Sequence, residues 1–600
     1  MSAEEYEYIV VGSGAGGGPL AANLAKSGCR VLLIEAGSDP ESYLYQVPCF
    51  HAYSSEEKAM SWDYFVHHYT KDEERDPKYR ADRGGVFYPR AGTLGGCTAH
   101  NAMITMYPHD DDWNGIAELT GDVSWRAESM RQYFQRLEKC TYADPAEAAK
   151  NGHGYSGWLS TSTVDPLIAL GDKQVIQTVM DAALRGGCAG ILERIFSKRK
   201  IEFDPNDKRN TGAEGLTSRI PLATANGRRN GTREYIRRVM KEHPDKLDVR
   251  MNHLATRVIF DGDRAVGVEC LTGEHLYQAD PDFSATATPA TVEYRCTREV
   301  ILAGGAFNTP QLLMLSGIGP KAHLEEMGIA CRADRAGVGR NMQDRYEVAV
   351  VGTTYENFEV LRNATFKAPA ADEEGDECFQ EWLKGVGMYT SNGALIALIT
   401  RSKSSRPDPD LFMFALPGNF HGYYPGYSAD VERQKNYLTW AILKAHTNNT
   451  NGEVRLASSD PRARPYINFH YFDESNDTGG EDLDSVVNAV LLVRQMNARN
   501  ESLHEELIPG PGVKTDRKEI AKWVADNAWG HHASCSCRMG RADDPMAVVD
   551  SRFRVIGARN LRVVDASVFP RIPGFFIVTP IYMISEKATD AILADRARPA

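Results

Sequence analysis

The stretch YEYIVVGSGAGGGPLAANLAKSGCRVLLIEAG, Tyr6 to Gly37, leaves a chain few choices of fold. Ile9 to Val11 is an apolar run suited to a buried strand, and VLLI is a second one. Between them Leu20, Leu24 and Ala25 recur on one helical face, with Pro19 in the first turn and Gly28 at the end. Strand, tight turn, helix and strand in this order open a doubly wound parallel sheet. The turn reads Gly12-x-Gly14-x-x-Gly17, with Ser13 and Ala15 among its remaining residues. Its glycines let the backbone close on a pyrophosphate, whose charge rests at the helix N-terminus. Glu35 ends the second strand, eighteen residues after Gly17, and Ala36 follows it. A carboxylate there can accept both hydroxyls of an adenosine ribose. The unit predicts a dinucleotide site without deciding between FAD and NAD.

Six hundred residues exceed what one hydrophobic core organises, so at least two domains are expected. A net charge of −13 excludes nucleic acid as a partner, since phosphate affinity needs clustered Lys and Arg. No apolar run approaches the ~18 residues of a membrane span. The first strand starts near Glu7, which leaves no room for a secretory signal, and sequons such as Asn230, Asn363 and Asn476 are read as chance. Eleven scattered cysteines suit a reducing, cytoplasmic setting better than a disulfide framework. Residues 247–271 read as strands joined by an Asp261-Gly262-Asp263 hairpin, 277–291 as a loop, and REVILAGG as another strand. From 345 to 520 the chain turns aromatic and rich in Gly and Pro, with strand candidates VRLAS and PYINFHYF. This predicts antiparallel sheet plus helices. The tail returns to a short strand, Leu561 to Val564, and a closing helix, Ile581 to Leu593.

WGHHASCSCRMG, Trp529 to Gly540, is chemically ambiguous. A zinc site needs three or four ligands, and no second Cys/His pair is near in sequence, so no metal is expected. Cys535 and Cys537 are one residue apart, and on a strand both would face one side and be buried. On the same extended reading His531 points away from His532 and serves as a wall residue.

Three further stretches carry a family resemblance. RAGTLGGCTAHNAM (Arg90 to Met103), GAFNTPQLLMLSGIG (Gly305 to Gly319), and His532 with RMG, LRVVDASVFPRIPG and TPIYMISEKATDAI resemble segments of the glucose–methanol–choline (GMC) oxidoreductases, in chain order. GVGRNMQD and GEVRLASSDPRARPYI are similar to others. The resemblance implies an α/β chain with a Rossmann-like FAD-binding domain interleaved with an α+β substrate domain on an antiparallel sheet. Its implied divisions are 1–160, 231–344 and 521–600 for the FAD domain, and 161–230 (a lid) and 345–520 for the substrate domain. It implies oxidation of a small-molecule alcohol to a carbonyl. Oxygen, a quinone or a protein then reoxidises the flavin. By position it puts Gly12, Ser13, Gly14, Ala15, Gly17, Glu35, Ala36, Arg90, Gly92, Gly95, Gly96, Cys97, His100, Asn101, Ala102, Val258, Asp565 and Ala566 around FAD. Asp565 falls nearest the ribityl chain and pyrophosphate.

Aligned on Cys537-Arg538-Met539-Gly540, the family's catalytic histidine falls on His532. A neutral imidazole can take the hydroxyl proton of an alcohol whose hydride leaves for the flavin. Two positions depart from the common pattern. His100 lies in a Gly-Gly-Cys-x-x-His-Asn run similar to that of choline oxidase, a family member whose histidine is bonded to the flavin; the resemblance implies a covalent link here, with Asn101 orienting its neighbours. The Asn or His that usually partners the catalytic histidine is replaced by Phe576. Phe576 cannot hydrogen-bond a developing alkoxide, so either another group, His531 among them, supplies that bond, or Phe575, Phe576 and Ile577 wall a bulky apolar substrate. The loss also leaves room for a lyase or photoenzyme of this fold, or a non-catalytic flavoprotein.

Overall fold

The computed structural model describes residues 5–164, 168, 172–178, 203–370 and 372–597; much of the expected lid, 161–230, lies outside them. β1 (Tyr6–Val11), α1 (Gly17–Lys26) and β2 (Val31–Ile34) form the expected unit, with β1 and β2 parallel. β2 is buried at all four positions, as a strand covered on both faces must be. The N–H of Gly28, at a φ of 84°, donates to Ala25 O just past the helix end.

These strands sit in a seven-stranded sheet ordered Leu247–Arg250, β2, β1, Ala290–Leu302, Arg264–Thr272, His253–Asp261, with Leu561–Val563 also paired to Ala290–Leu302. Ala290–Leu302 begins where a loop was expected and has two roles. Its first half is antiparallel to Arg264–Thr272, and its second half is parallel to β1. One thirteen-residue strand therefore joins a hairpin extension to the dinucleotide sheet. A second, six-stranded antiparallel sheet is ordered Leu503–Ile508, Glu347–Thr354, Tyr437–Lys444, Leu411–Leu416, Ile396–Thr400, Gly215–Thr217. Strands of both sheets come from segments far apart in sequence. VRLAS and PYINFHYF do not join the six-stranded sheet. They pair with each other, through Glu453–Arg455 and Tyr466–Asn468. The closing helix is longer than its apolar periodicity suggested, Val578–Arg596, and eleven consecutive residues from Thr579 to Thr589 are buried.

The segment around Trp529 is irregular, which corrects the extended reading. It runs antiparallel to Gln343–Glu347, with paired bonds between Trp529 and Glu347 and between Ser534 and Gln343. Four steps from Gln343 to Glu347 oppose five from Trp529 to Ser534, so the histidine side carries one extra residue, as in a bulge. Alternation fails there. The rings of His531 and His532 lie side by side, centroids 4.0 Å apart.

Candidate active site

One large cavity lies at the ends of β1 and β2. Its wall contains the glycine turn from Gly12 to Gly16, then Glu35 and Ala36, Arg90, Gly96 to Thr98 and His100 to Ile104, and the tail residues His531, His532, Asp565, Ala566 and Phe576. Two of the three motif glycines, Gly12 and Gly17, are needed for close packing. Gly12 has a φ of 101°, and a Cβ there would stand 2.3 Å from Ala303 O; one on Gly17 would stand 2.1 Å from Gly12 O. Gly14 is different: a Cβ would meet nothing nearer than Gly96 at 4.0 Å, so its open side is cavity. Ser13 ties the turn to its surroundings, its hydroxyl donating to Glu35 Oε2 at 2.5 Å and accepting from the Gly95 N–H at 3.0 Å. Burial lifts the Glu35 carboxyl above its ordinary range, against donors from Ser13 and Gly37.

Four expected contacts do not line the cavity. Gly17 packs the helix on the strand, as above. Gly95 acts through Ser13. Gly92 lies against Trp62, whose indole nitrogen would be 2.3 Å from an added Cβ. Val258 is buried in its strand and donates its N–H to Ser316 Oγ; His253, Leu254 and Ala255, earlier in that strand, reach the wall instead. Asp565 does reach the wall, but its carboxylate is engaged by the Gly305 N–H, Thr309 Oγ1 and both the N–H and hydroxyl of Ser567. It thereby holds the start of helix Gly305–Leu315 against the tail.

Arg90, on strand Gly85–Ala91, donates to His531 O at 2.9 Å and approaches Cys97 Sγ at 3.8 Å, with its guanidinium over the Tyr88 ring. It has no carboxylate partner among the described residues. His100 is buried, and its Nε2 has no hydrogen-bond partner. Burial, then Arg90 and Arg229, push its pKa down to about 3, so the imidazole is neutral. Asn101 orients its neighbours: its Oδ1 accepts from Arg229 Nη1 at 2.8 Å and from the Met103 N–H at 3.2 Å.

At the other end His532 donates its backbone N–H to Asp344 Oδ1, and Asp344 Oδ2 accepts from Tyr88 OH. Both histidines are held neutral. Burial, then neighbouring Arg90 and Arg345, lowers His531 to about 3; burial, then His531 and Arg345, lowers His532 well below the ordinary imidazole value. The Phe576 ring stands perpendicular to that of His532, centroids 5.8 Å apart, and packs edge-on against Phe412. Phe576 and Ile577 form wall; Phe575 lies behind, against His109 and a smaller cavity. Of the aromatic run at 420–427, Tyr423 and Tyr427 line the main cavity, and Phe420 packs on Trp529. Cys535 and Cys537 are buried free thiols. Burial pushes Cys535 up to about 12 and Cys537 upward too, so neither is poised as a thiolate.

Sequence reasoning missed His51 and Glu347. His51 lines the cavity and reaches Asn392 O with Nε2. Glu347 opens a strand buried at all eight positions, EVAVVGTT, and a carboxylate in such a run was the available signal.

A glycine turn open to a cavity, a carboxylate at the end of the second strand and a neutral histidine pair opposite define a dinucleotide-dependent oxidoreductase built on two sheets. The chain belongs to the GMC oxidoreductase family: the family's N-terminal model matches residues 6–347 and its C-terminal model residues 448–585. It is 31% identical to an oxygen-dependent choline dehydrogenase of Staphylococcus saprophyticus subsp. saprophyticus, over 98% of this chain and 95% of that protein. It is 29% identical to one of Brucella anthropi, over 98% and 96%. Solved structures of the same fold include pyridoxine 4-oxidase from Mesorbium loti (TM-score 0.76, 20% identity, 99% and 100% covered) and a formate oxidase (TM-score 0.79, 21% identity, 99% of each chain).

Proposed function

We propose that His532 is the base in the alcohol oxidation that this FAD-dependent GMC oxidoreductase carries out, and that the alcohol has an apolar body resting on Phe576 and Tyr423. The observation that carries the reading is a neutral, buried His532 in the wall of the same cavity as the open glycine turn. The residues present suit FAD. Gly12 to Gly14 and the start of α1 offer backbone donors and an open face to the pyrophosphate, and Glu35 stands where a ribose would reach. His100 offers a neutral imidazole with an orphaned Nε2 for a covalent bond to the flavin. When bound, FAD supplies the hydride acceptor. The protein's part is to exclude water, hold the alcohol oxygen near His532 and accept its proton there. The apolar body is supported by the substrate end of the wall. The carboxylates in the described wall are Glu35 and Asp565, both in the segments assigned to the cofactor. Oxygen as the electron acceptor rests on the relatives called oxygen-dependent.

The test is anaerobic titration of the purified flavoprotein with alkyl, aryl, sugar and amino alcohols, read as loss of oxidised flavin absorbance. Bleaching by apolar alcohols, followed by recovery in air, is the expected result. Bleaching by choline alone would overturn the substrate assignment. Retention of full turnover by His532→Ala would overturn the base.

A further inference from the structure

Three buried polar atoms around the histidine pair have no hydrogen-bond partner: His531 Nδ1, His532 Nδ1 and Glu347 Oε1. They face one another. Glu347 Oε1 is 3.3 Å from His531 Nδ1 and 3.5 Å from His532 Nδ1. Both distances exceed a well-formed hydrogen bond, and catalytic contacts in ligand-free proteins are often this long before substrate tightens them. Glu347 is 2% exposed and is not part of the cavity wall, so it meets the substrate only through the histidines. The bulge opposite Gln343–Glu347 turns both rings toward it.

We propose that Glu347 is the positioning residue of this site: its Oε1 accepts Nδ1–H from His532 and His531, fixes the tautomer that leaves Nε2 free toward the cavity, and replaces the polar partner that Phe576 does not provide. The inference rests on His532 being the base. The balance is simple. The alcohol O–H bond breaks and its proton goes to His532 Nε2. With FAD bound as hydride acceptor, the carbinol hydrogen would leave with its electron pair and the carbonyl would form. The imidazolium so made stands against Glu347, as an oriented carboxylate supports a catalytic histidine elsewhere. The other charges around Glu347 suit this. Arg345, next but one in its own strand segment, is fully buried and lacks a partner at Nε and Nη1; Asp344 is already committed to Tyr88 and His532 N–H; Arg90 stands beside His531. Tyr423 closes the far side of His531, ring centroids 5.1 Å apart, and His51 adds a weaker positive influence on it. Burial, then Asp344, raises the Glu347 carboxyl, with Arg345 and Trp529 opposing; a positive imidazolium beside it favours the carboxylate.

The experiment compares wild type, Glu347→Gln, Glu347→Asp, His531→Phe and His532→Ala, all as FAD-loaded enzyme with flavin content matched by absorbance. The readout is kcat and KM against pH with the best alcohol. In Glu347→Gln the imidazolium loses its carboxylate. Its pKa falls, the acid limb of kcat/KM moves to lower pH, and kcat drops on the order of 10–100-fold, as when an orienting partner is removed from a ligating histidine. Glu347→Asp keeps the charge and restores the limb. His531→Phe removes the competing donor and moves the limb the other way, which keeps the proposal testable should Glu347→Gln fail to fold. An unmoved limb in Glu347→Gln at full flavin loading would overturn the proposal. So would a rise in KM alone, which would make Glu347 a substrate ligand, or one equivalent of bound metal lost with the glutamate, which would make the triad a metal site. Turnover surviving in His532→Ala would instead defeat the underlying reading, whatever Glu347 does.

Discussion

Phe576→Ala separates a wall residue from a catalytic one. The ring is 8% exposed, touches Phe412 edge-on at 5.0 Å and presents its other side to the cavity. Truncating a phenyl in a closed core costs about 3–5 kcal/mol. Here one side of the ring already borders open space, so only the transfer part, about 1.5–3 kcal/mol, is lost to the fold. A substrate lying on the exposed face loses roughly half of that ring's burial, about 1.4 kcal/mol, which is a tenfold fall in kcat/KM. The space freed is about one phenyl ring. A graded series of alkyl, benzyl and naphthyl alcohols, followed by anaerobic flavin reduction and steady-state turnover, should therefore show a size shift. The best small alcohol falls about tenfold, and the largest gains on it. The acid limb stays in place, because the Nδ1 side of His532 is untouched. If the size ranking is unchanged and the limb moves instead, Phe576 acts on the base and the wall argument is wrong.

Four other outcomes follow from the same geometry. His532→Ala should lower kcat by about 10²–10⁴-fold, the usual worth of a positioned base, with flavin content unchanged. His100→Ala should release its flavin on acid precipitation, whereas wild type should keep the colour in the pellet. Gly12→Ala puts a Cβ 2.3 Å from Ala303 O at a φ of 101° and should abolish FAD loading; Gly28→Ala, also at positive φ but with open space around it, should cost only about 1 kcal/mol and load normally. His153 bridges Glu138 and Asp204 at 2.9 and 3.0 Å, and these partners overcome burial to raise its pKa to about 12. The folded-state value is raised, so this stabilisation is complete below the unfolded pKa near 6.5 and is lost progressively from there toward pH 12. The melting temperature of His153→Gln should accordingly fall less steeply than that of wild type across that window.

The cofactor half of the site was legible because its signals are local. A turn that needs positive φ at Gly12, a helix that must approach a strand at Gly17 and a carboxylate at a strand end leave their marks within thirty residues, and β1, α1 and β2 form where the pattern put them. Val258 failed because a strand position read by resemblance carries no local mark of which face meets the cavity; the wall is reached three to five residues earlier. His531 does reach the wall, but the facing of its ring was misread for a related reason. Period-two alternation predicts opposite faces only while the ladder is regular, and the register against Gln343–Glu347 slips by one residue across the histidines. That slip is a property of two segments nearly two hundred positions apart, so neither segment alone could reveal it. Yet it is what gathers two imidazoles over one carboxylate. Phe576 does stand in the wall beside His532, but the group proposed to replace its polar role is invisible from its own neighbourhood, because Glu347 enters from the six-stranded sheet. A polar residue lost from one element of an active site can thus be offset by a carboxylate on another, and the sequence cue is an acid in a strand otherwise apolar and buried.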